Sequence, residues 1–269
     1  MVGHSHVGPV AASRVIQSST AYASYSNCIL WLDAADATTV FRDAGGTVPA
    51  VAGDVVNQWK DKSAAHNHAL ADKASATLRT DATTGRTLLR GQLGMSLTNP
   101  YLLTPCAGLT VCIVLQADQT QNCLSPFCQH TANYPWTCTK DNDHTALFET
   151  LGMAFPSVPI LTTSALNWAT TTAPWSTWYK RALYVVTANT TAGQTTIFKS
   201  DAATVAYSTP FLRNYWTNSY PVTVGWADTF TYNGDAAEIL VFNTALSSTT
   251  SPRLADVAAG LRTKWAITQ

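Results

Sequence analysis

Tyr232-Asn233-Gly234-Asp235-Ala236-Ala237-Glu238-Ile239-Leu240-Val241-Phe242, followed by Asn243-Thr244-Ala245-Leu246-Ser247 and a segment running to Trp265, decides the reading of this chain. Asn233-Gly234 is a tight-turn dipeptide, because glycine accepts positive φ without steric cost. The short apolar run after it carries Ile, Val and Phe, which predicts a strand launched from a turn. A helix is expected next. Ser251 can cap it and Pro252 suits its first position, while Leu254, Val257, Ala258, Leu261 and Trp265 fall at helical spacing on one face.

Working outward, many short apolar segments lie between turn signals. Strands are expected over 28–34, with Ile29, Trp31 and Asp33 alternating against Leu30 and Leu32, and over 54–59, 86–97 and 109–117. Further strands are expected over 145–155, 178–188, 195–199, 222–226 and 236–242. In 109–117, Val111, Ile113 and Leu115 share a face. Strands in series with one closing helix argue for an all-β, two-sheet antiparallel sandwich over residues 27–269. Residues 1–26 are rich in Gly, Ser, Ala and Thr and read as an N-terminal arm.

Leu30-Trp31-Leu32-Asp33-Ala34-Ala35-Asp36, then Gln58-Trp59-Lys60-Asp61-Lys62-Ser63 and Asn67-His68-Ala69, add a second anchor at the other end of the chain. With the Asn-x-Ala-Leu-Ser segment and the helix ending in Lys264-Trp265, they resemble the laminin-G-like members of the concanavalin A-like lectin/glucanase superfamily. The resemblance brackets roughly residues 28 to 267 and implies one jelly-roll sandwich with Trp31, Trp59, Trp226 and Trp265 in its core. Free-standing domains of this type, without a catalytic partner domain, often look like bacteriophage virion proteins such as head decoration proteins, fibres or tail adhesins.

Composition narrows the function classes. Charged residues make up 12% and the formal net charge is zero. A phosphate-binding surface needs a basic excess or cluster, so no nucleic-acid footprint is expected. No apolar run is long enough to span a membrane. The first residues lack a basic stretch followed by an apolar one, so they do not read as a signal peptide. A low-charge surface rich in Thr, Ser and Ala favours association with other proteins or other copies of this chain.

Catalysis would have to come from the carboxylates. Glycosidases of the ordinary type place two carboxyl groups across the scissile bond. The chain has only two glutamates, Glu149 and Glu238, and the Glu-x-Asp-x-x-Glu pattern of the superfamily's hydrolases is missing. Asp235 and Glu238 are three apart, which puts them on opposite faces of a regular strand. Glu238 alternates with Leu240 and Phe242 and is expected to be half-buried against a backbone or Arg partner. The expectation is therefore a chain that is not an enzyme, with a divergent glycoside hydrolase as the remote alternative.

Other chemistry is sparse. His66-Asn67-His68 lacks the further ligands of a nuclease centre. The cysteines, Cys28, Cys106, Cys112, Cys123, Cys128 and Cys138, contain no Cys-x-x-Cys, and Cys112 reads as a small buried hydrophobe. Cys123, Cys128 and Cys138 share a long polar stretch, 118–143, and their pairing is not legible. No cofactor is called for, although calcium is possible at Asp141, Asn142, Asp143, Asp228 or Asp235, residues more often used to satisfy turns.

Aromatic residues carry the binding signal. Tyr134 and Trp136, Trp175 and Trp178, and Tyr215, Trp216 and Tyr220 lie in polar, loop-like surroundings. Such rings stack on the C–H face of a sugar or anchor a protein interface. The expectation is a virion structural protein of capsid-decoration, fibre or adhesin type, placed at the virion surface. Its partners would be other virion proteins or copies of itself, met through the arm, and host surface glycans. An extracellular carbohydrate-binding lectin is the alternative.

Overall fold

The computed structural model describes residues 22–99, 108–118, 127–129, 181–189, 194–199, 205–207, 222–227 and 230–267. Among these, the chain is all-β and antiparallel with a single α-helix near its C-terminal end. In chain order the strands are β1 (Cys28–Asp33), β2 (Val40–Phe41), β3 (Gln58–Trp59), β4 (Ala69–Ala74), β5 (Thr77–Thr80), β6 (Thr87–Leu97) and β7 (Gly108–Ala117). They continue as β8 (Phe127–Gln129), β9 (Ala182–Asn189), β10 (Gln194–Lys199), β11 (Val205–Tyr207), β12 (Val222–Val224), β13 (Trp226–Ala227) and β14 (Phe230–Phe242), followed by α1 (Leu254–Lys264).

One hydrogen-bonded sheet links them all in the order β11-β10-β9-β7-β14-β6-β4-β3-β2. It curls because β6 belongs to two layers. Thr87 to Arg90 pair with β5, and Leu89 to Leu93 pair with β14. Gly94 to Leu97 then pair with β4, and Met95 and Ser96 with β12. Gly91 of β6 lies opposite Gly234 of β14, with φ of +104° and +150°. Backbone of this kind is open to glycine and strained for other residues, which suits two long strands bending side by side.

Asn233-Gly234 is therefore not the expected turn. The strand runs through it from Phe230, because Asn233 and Gly234 have partners in β6 and Gly234 also pairs with Ala117. A bulge follows. Ala236 pairs with Leu115 and Glu238 with Val114, so Ala237 is the extra residue. One inserted residue shifts the side-chain alternation.

The core has two parts. Between the layers lie Leu30, Leu32, Trp59, Met95, Val111, Ile113, Tyr232 and Ile239. On the reverse face of the larger layer, Trp31, Cys112, Val114, Leu183, Leu240 and Phe242 pack with Val257, Leu261 and Trp265 of the helical end. β7 and β14 are thus buried on both faces, which explains why 111–115 and 239–242 are unbroken apolar runs. Tyr22 joins the outer part, its ring edge-on to Trp31 at 5.2 Å, so the described end of the N-terminal stretch packs on its own domain.

α1 begins at Leu254. Arg253 takes the cap position with no side-chain cap bond, so neither Ser251 nor Pro252 holds the expected role. Asp256 in the first turn and Arg262 and Lys264 in the last complement the helix dipole.

Candidate functional site

The two segments that carry the family resemblance meet in space. β1 supplies Trp31 and Asp33, the loop after β3 supplies Asp61, Lys62 and Ser63, β14 supplies Glu238, and the end of α1 supplies Lys264 and Trp265. Glu238 is 1% exposed. The Trp31 indole donates to its Oε1 at 2.8 Å and the Trp265 indole to its Oε2 at 2.7 Å. Lys264 Nζ lies 2.8 Å from the same Oε2 and 2.6 Å from Asp33 Oδ1. Lys62 Nζ holds Asp33 Oδ2 at 3.0 Å and Asp36 Oδ2 at 2.7 Å, and it stands 4.1 Å from the centre of the Trp31 ring.

Glu238 is thus more buried than its sequence suggests, and its partners are two indoles and a lysine. Burial, reinforced by the nearby Asp33 charge, raises its carboxyl above the ordinary value, and Lys264 opposes that rise. Burial also works against the Asp36 carboxylate, but Lys62 and Thr38 outweigh it and hold that group below the usual range.

Asp61 is a tie between segments. Its Oδ1 accepts from the backbone N–H groups of Trp31 and Ser63, and its Oδ2 from the Ser63 hydroxyl and the Asn67 N–H, all at 2.7–2.8 Å. The carboxylate so bonded fixes the loop carrying Lys62 against β1. His68 Nδ1 accepts from the Asp61 N–H at 3.2 Å. His66-Asn67-His68 is therefore part of a structural loop.

A second cluster surrounds Asp235, also fully buried. Arg79 reaches its Oδ2 at 2.7 Å, Arg90 its Oδ1 at 3.3 Å, and Arg181 lies 3.9 Å away. Arg90 also holds Asp118 at 2.7 Å, and Arg181 forms a two-pronged pair with Asp81 at 2.8 Å and 2.8 Å. The Arg181 bonds, against the cost of burial, hold the Asp81 carboxyl far below its ordinary value. With the Ala237 bulge between them, Asp235 and Glu238 lie on the same face of β14, contrary to the alternation read from a regular strand. Each nonetheless has its own set of cationic partners.

Cys112 is buried with a free thiol, as its apolar strand suggested, and burial raises its pKa. Cys28 is likewise free and buried, and burial pushes it up to about 12. Trp31, Trp59 and Trp265 are core. Among the described residues no three His, Cys, Asp or Glu side chains group as a metal site. No helix among them is long and apolar enough to cross a membrane.

The aromatic candidates Tyr134, Trp136, Trp175, Trp178, Tyr215, Trp216 and Tyr220 lie outside the described residues. So do Glu149, Asp141, Asn142, Asp143 and Asp228, and the strand expected over 145–155. The Trp31–Glu238–Trp265 network was missed in the sequence because its members are far apart. Its only signal was the presence of Trp, Asp and Lys in both resembling segments.

No family model and no curated protein matches the sequence. Among solved structures, a Trypanosoma rangeli sialidase in complex with 2,3-difluorosialic acid is similar at 11% identity and a TM-score of 0.49, over 92% of this chain and 35% of that one. The NanB sialidase of Streptococcus pneumoniae is similar at 13% identity and a TM-score of 0.35, over 58% of this chain and 26% of that one. The chain thus spans about a third of the length of these proteins, or less. The neighbours are enzymes by name, so the expectation that the chain is not an enzyme is corrected. At this level of similarity no activity passes to the chain from them.

Proposed function

We propose that this chain is a laminin-G-like, concanavalin A-like module of a bacteriophage-type virion that decorates or extends the particle and attaches to host glycan. The observation behind this reading is where the charged side chains go. Asp33, Asp61, Asp81, Asp235 and Glu238 are all tied to internal donors. With these five engaged inside the fold, this reading puts recognition on the aromatic stretches around Trp136, Trp175, Trp178 and Trp216, whose rings suit sugar stacking or a protein interface. The neutral, low-charge composition supports close association with other virion proteins or with copies of the chain. In this reading the N-terminal arm makes that contact, and the working place is the virion surface.

Two measurements separate the parts of the reading. On a glycan array, the intact chain is expected to retain one class of glycan, and Trp136→Ala and Trp216→Ala to lose it. The bound spots are assayed for released reducing sugar at the same time, so that binding and turnover are read separately. Removal of residues 1–21 is expected to abolish co-sedimentation with particles while glycan retention persists. Glycan retention without any co-sedimentation of the intact chain points to an extracellular lectin. Loss of neither property in the variants removes the proposal.

A further inference from the structure

We propose that Lys264 and Asp33 condense within the folded chain to an isopeptide bond, with Glu238 as the proton relay. The inference rests on the geometry of the buried network and is independent of the function proposed above. Three features converge. Lys264 Nζ is in contact with both carboxylates, 2.6 Å from Asp33 Oδ1 and 2.8 Å from Glu238 Oε2. The acids are nearly dry, with side-chain exposures of 2% for Asp33 and 1% for Glu238, and Lys264 is 22% exposed. The indoles of Trp31 and Trp265 fix the Glu238 carboxylate from both oxygens, so the relay cannot swing away.

The reaction balances without a co-reactant. The Lys264 ammonium gives a proton to Glu238, and the freed lone pair on Nζ attacks Cγ of Asp33. Nζ touches Oδ1, the oxygen bonded to that carbon, and the attack needs Nζ and Cγ to close to the ~3–3.5 Å range of attacking pairs. The Asp33 Oδ2 that gains negative charge faces the Lys62 ammonium at 3.0 Å, placed to stabilise it. Glu238 passes its proton to Oδ1, a second proton leaves the nitrogen for the same oxygen, the Cγ–Oδ1 bond breaks and water departs. Oδ1 also accepts the Ala35 N–H at 3.1 Å, which holds the leaving oxygen in register. Ammonium plus carboxylate becomes amide plus water, and Glu238 ends as it began. Its upward-shifted carboxyl, raised first by burial, suits a group that must take and return a proton.

Lys62 also touches Asp33, yet it is bound to Asp36 and makes no contact with Glu238. Lys264 is the amine that bridges substrate carboxyl and relay. The bond would join the first strand to the end of the last helix.

Intact-mass spectrometry of the purified full chain tests this. The wild type is expected to fall short of its sequence mass by one water, and a protease digest to contain a branched peptide joining Asp33 to Lys264 that survives reduction. Lys264→Arg keeps the cation and removes the nucleophile, so it should show its full sequence mass. Glu238→Gln keeps the shape, and its cross-linked fraction should fall at least tenfold at equal times after purification, with circular dichroism checking that it is folded. Full mass in the wild type, water loss mapped elsewhere in the chain, or a branch at Lys62 overturns the proposal.

Discussion

Asp81 and Arg181 show how much one residue can carry. Their two parallel hydrogen bonds join the turn after β5 to the start of β9, and Asp81 is 4% exposed. Asp81→Asn leaves Arg181 with only the more distant Asp235 as counter-charge, 3.9 Å away, and should cost roughly 3 kcal/mol, read from urea unfolding at neutral pH. A carboxyl whose folded pKa is depressed gives stability that is complete above its unfolded value and lost as pH falls toward the folded one. The gap in melting temperature between wild type and Asp81→Asn should therefore close as pH drops below 3.8, the ordinary value. His68 has the opposite chemistry and the same direction. Burial lowers its pKa from 6.5, so the folded state binds fewer protons than the unfolded one, and its contribution is present above pH 6.5 and fades below it. A neutral His68 protonated on Nε2, seen in nitrogen NMR shifts at pH 7, is the expected outcome, since Nδ1 already accepts a bond. The three core tryptophans and Cys112 were legible in the sequence because they sit in apolar surroundings. The indole partners of Glu238 were not, because Trp31 lies 207 residues away in the chain.

Elements with strong β-formers could be placed from sequence, and elements without them could not. β1, β6, β7 and β9 fall close to where their Val, Ile and Leu runs put them. β4 reads Ala-Leu-Ala-Asp-Lys-Ala and β5 Thr-Leu-Arg-Thr. Neither was anticipated, since position against β6, and not local propensity, makes them strands. The same holds at Asn233-Gly234, where a turn dipeptide is overruled by partners on both edges of β14. Two substitutions test these elements. Gly91→Ala places a Cβ at φ +104° with nothing around it to clash, so backbone strain alone should destabilise by about 1–3 kcal/mol in urea unfolding. Trp265→Ala removes a fully buried ring and leaves Glu238 with one donor fewer, and should cost about 3–5 kcal/mol.

Among the described residues, β7 and β14 are buried on both faces, while β4 is mostly half-buried or exposed. Amides in Val111–Leu115 and Ile239–Val241 should exchange slowest with deuterated solvent, and those in β2 and β4 markedly faster, because local opening follows the number of buried neighbours. Comparable protection of β4 and β7 would contradict this layering. Two of the sheet's outer strands, β2 and β5, are also shielded by a loop. Ala50 bonds to Val40, and Gly53 and Val56 bond to Leu78 and Ala76, so two free edges are covered by backbone. Neither cover was visible in the sequence, since it depends on how 48–56 fold back.

Asn27 bonds to the backbone of Asn243 and Ser251, Tyr22 and Ile267 sink into one apolar cluster, and Asp33 meets Lys264. Tension applied at Tyr22 and Ile267 therefore enters at neighbouring points. It runs through 22–33 and 264–267 where they touch, and the strands between stay out of the line of force until that junction yields.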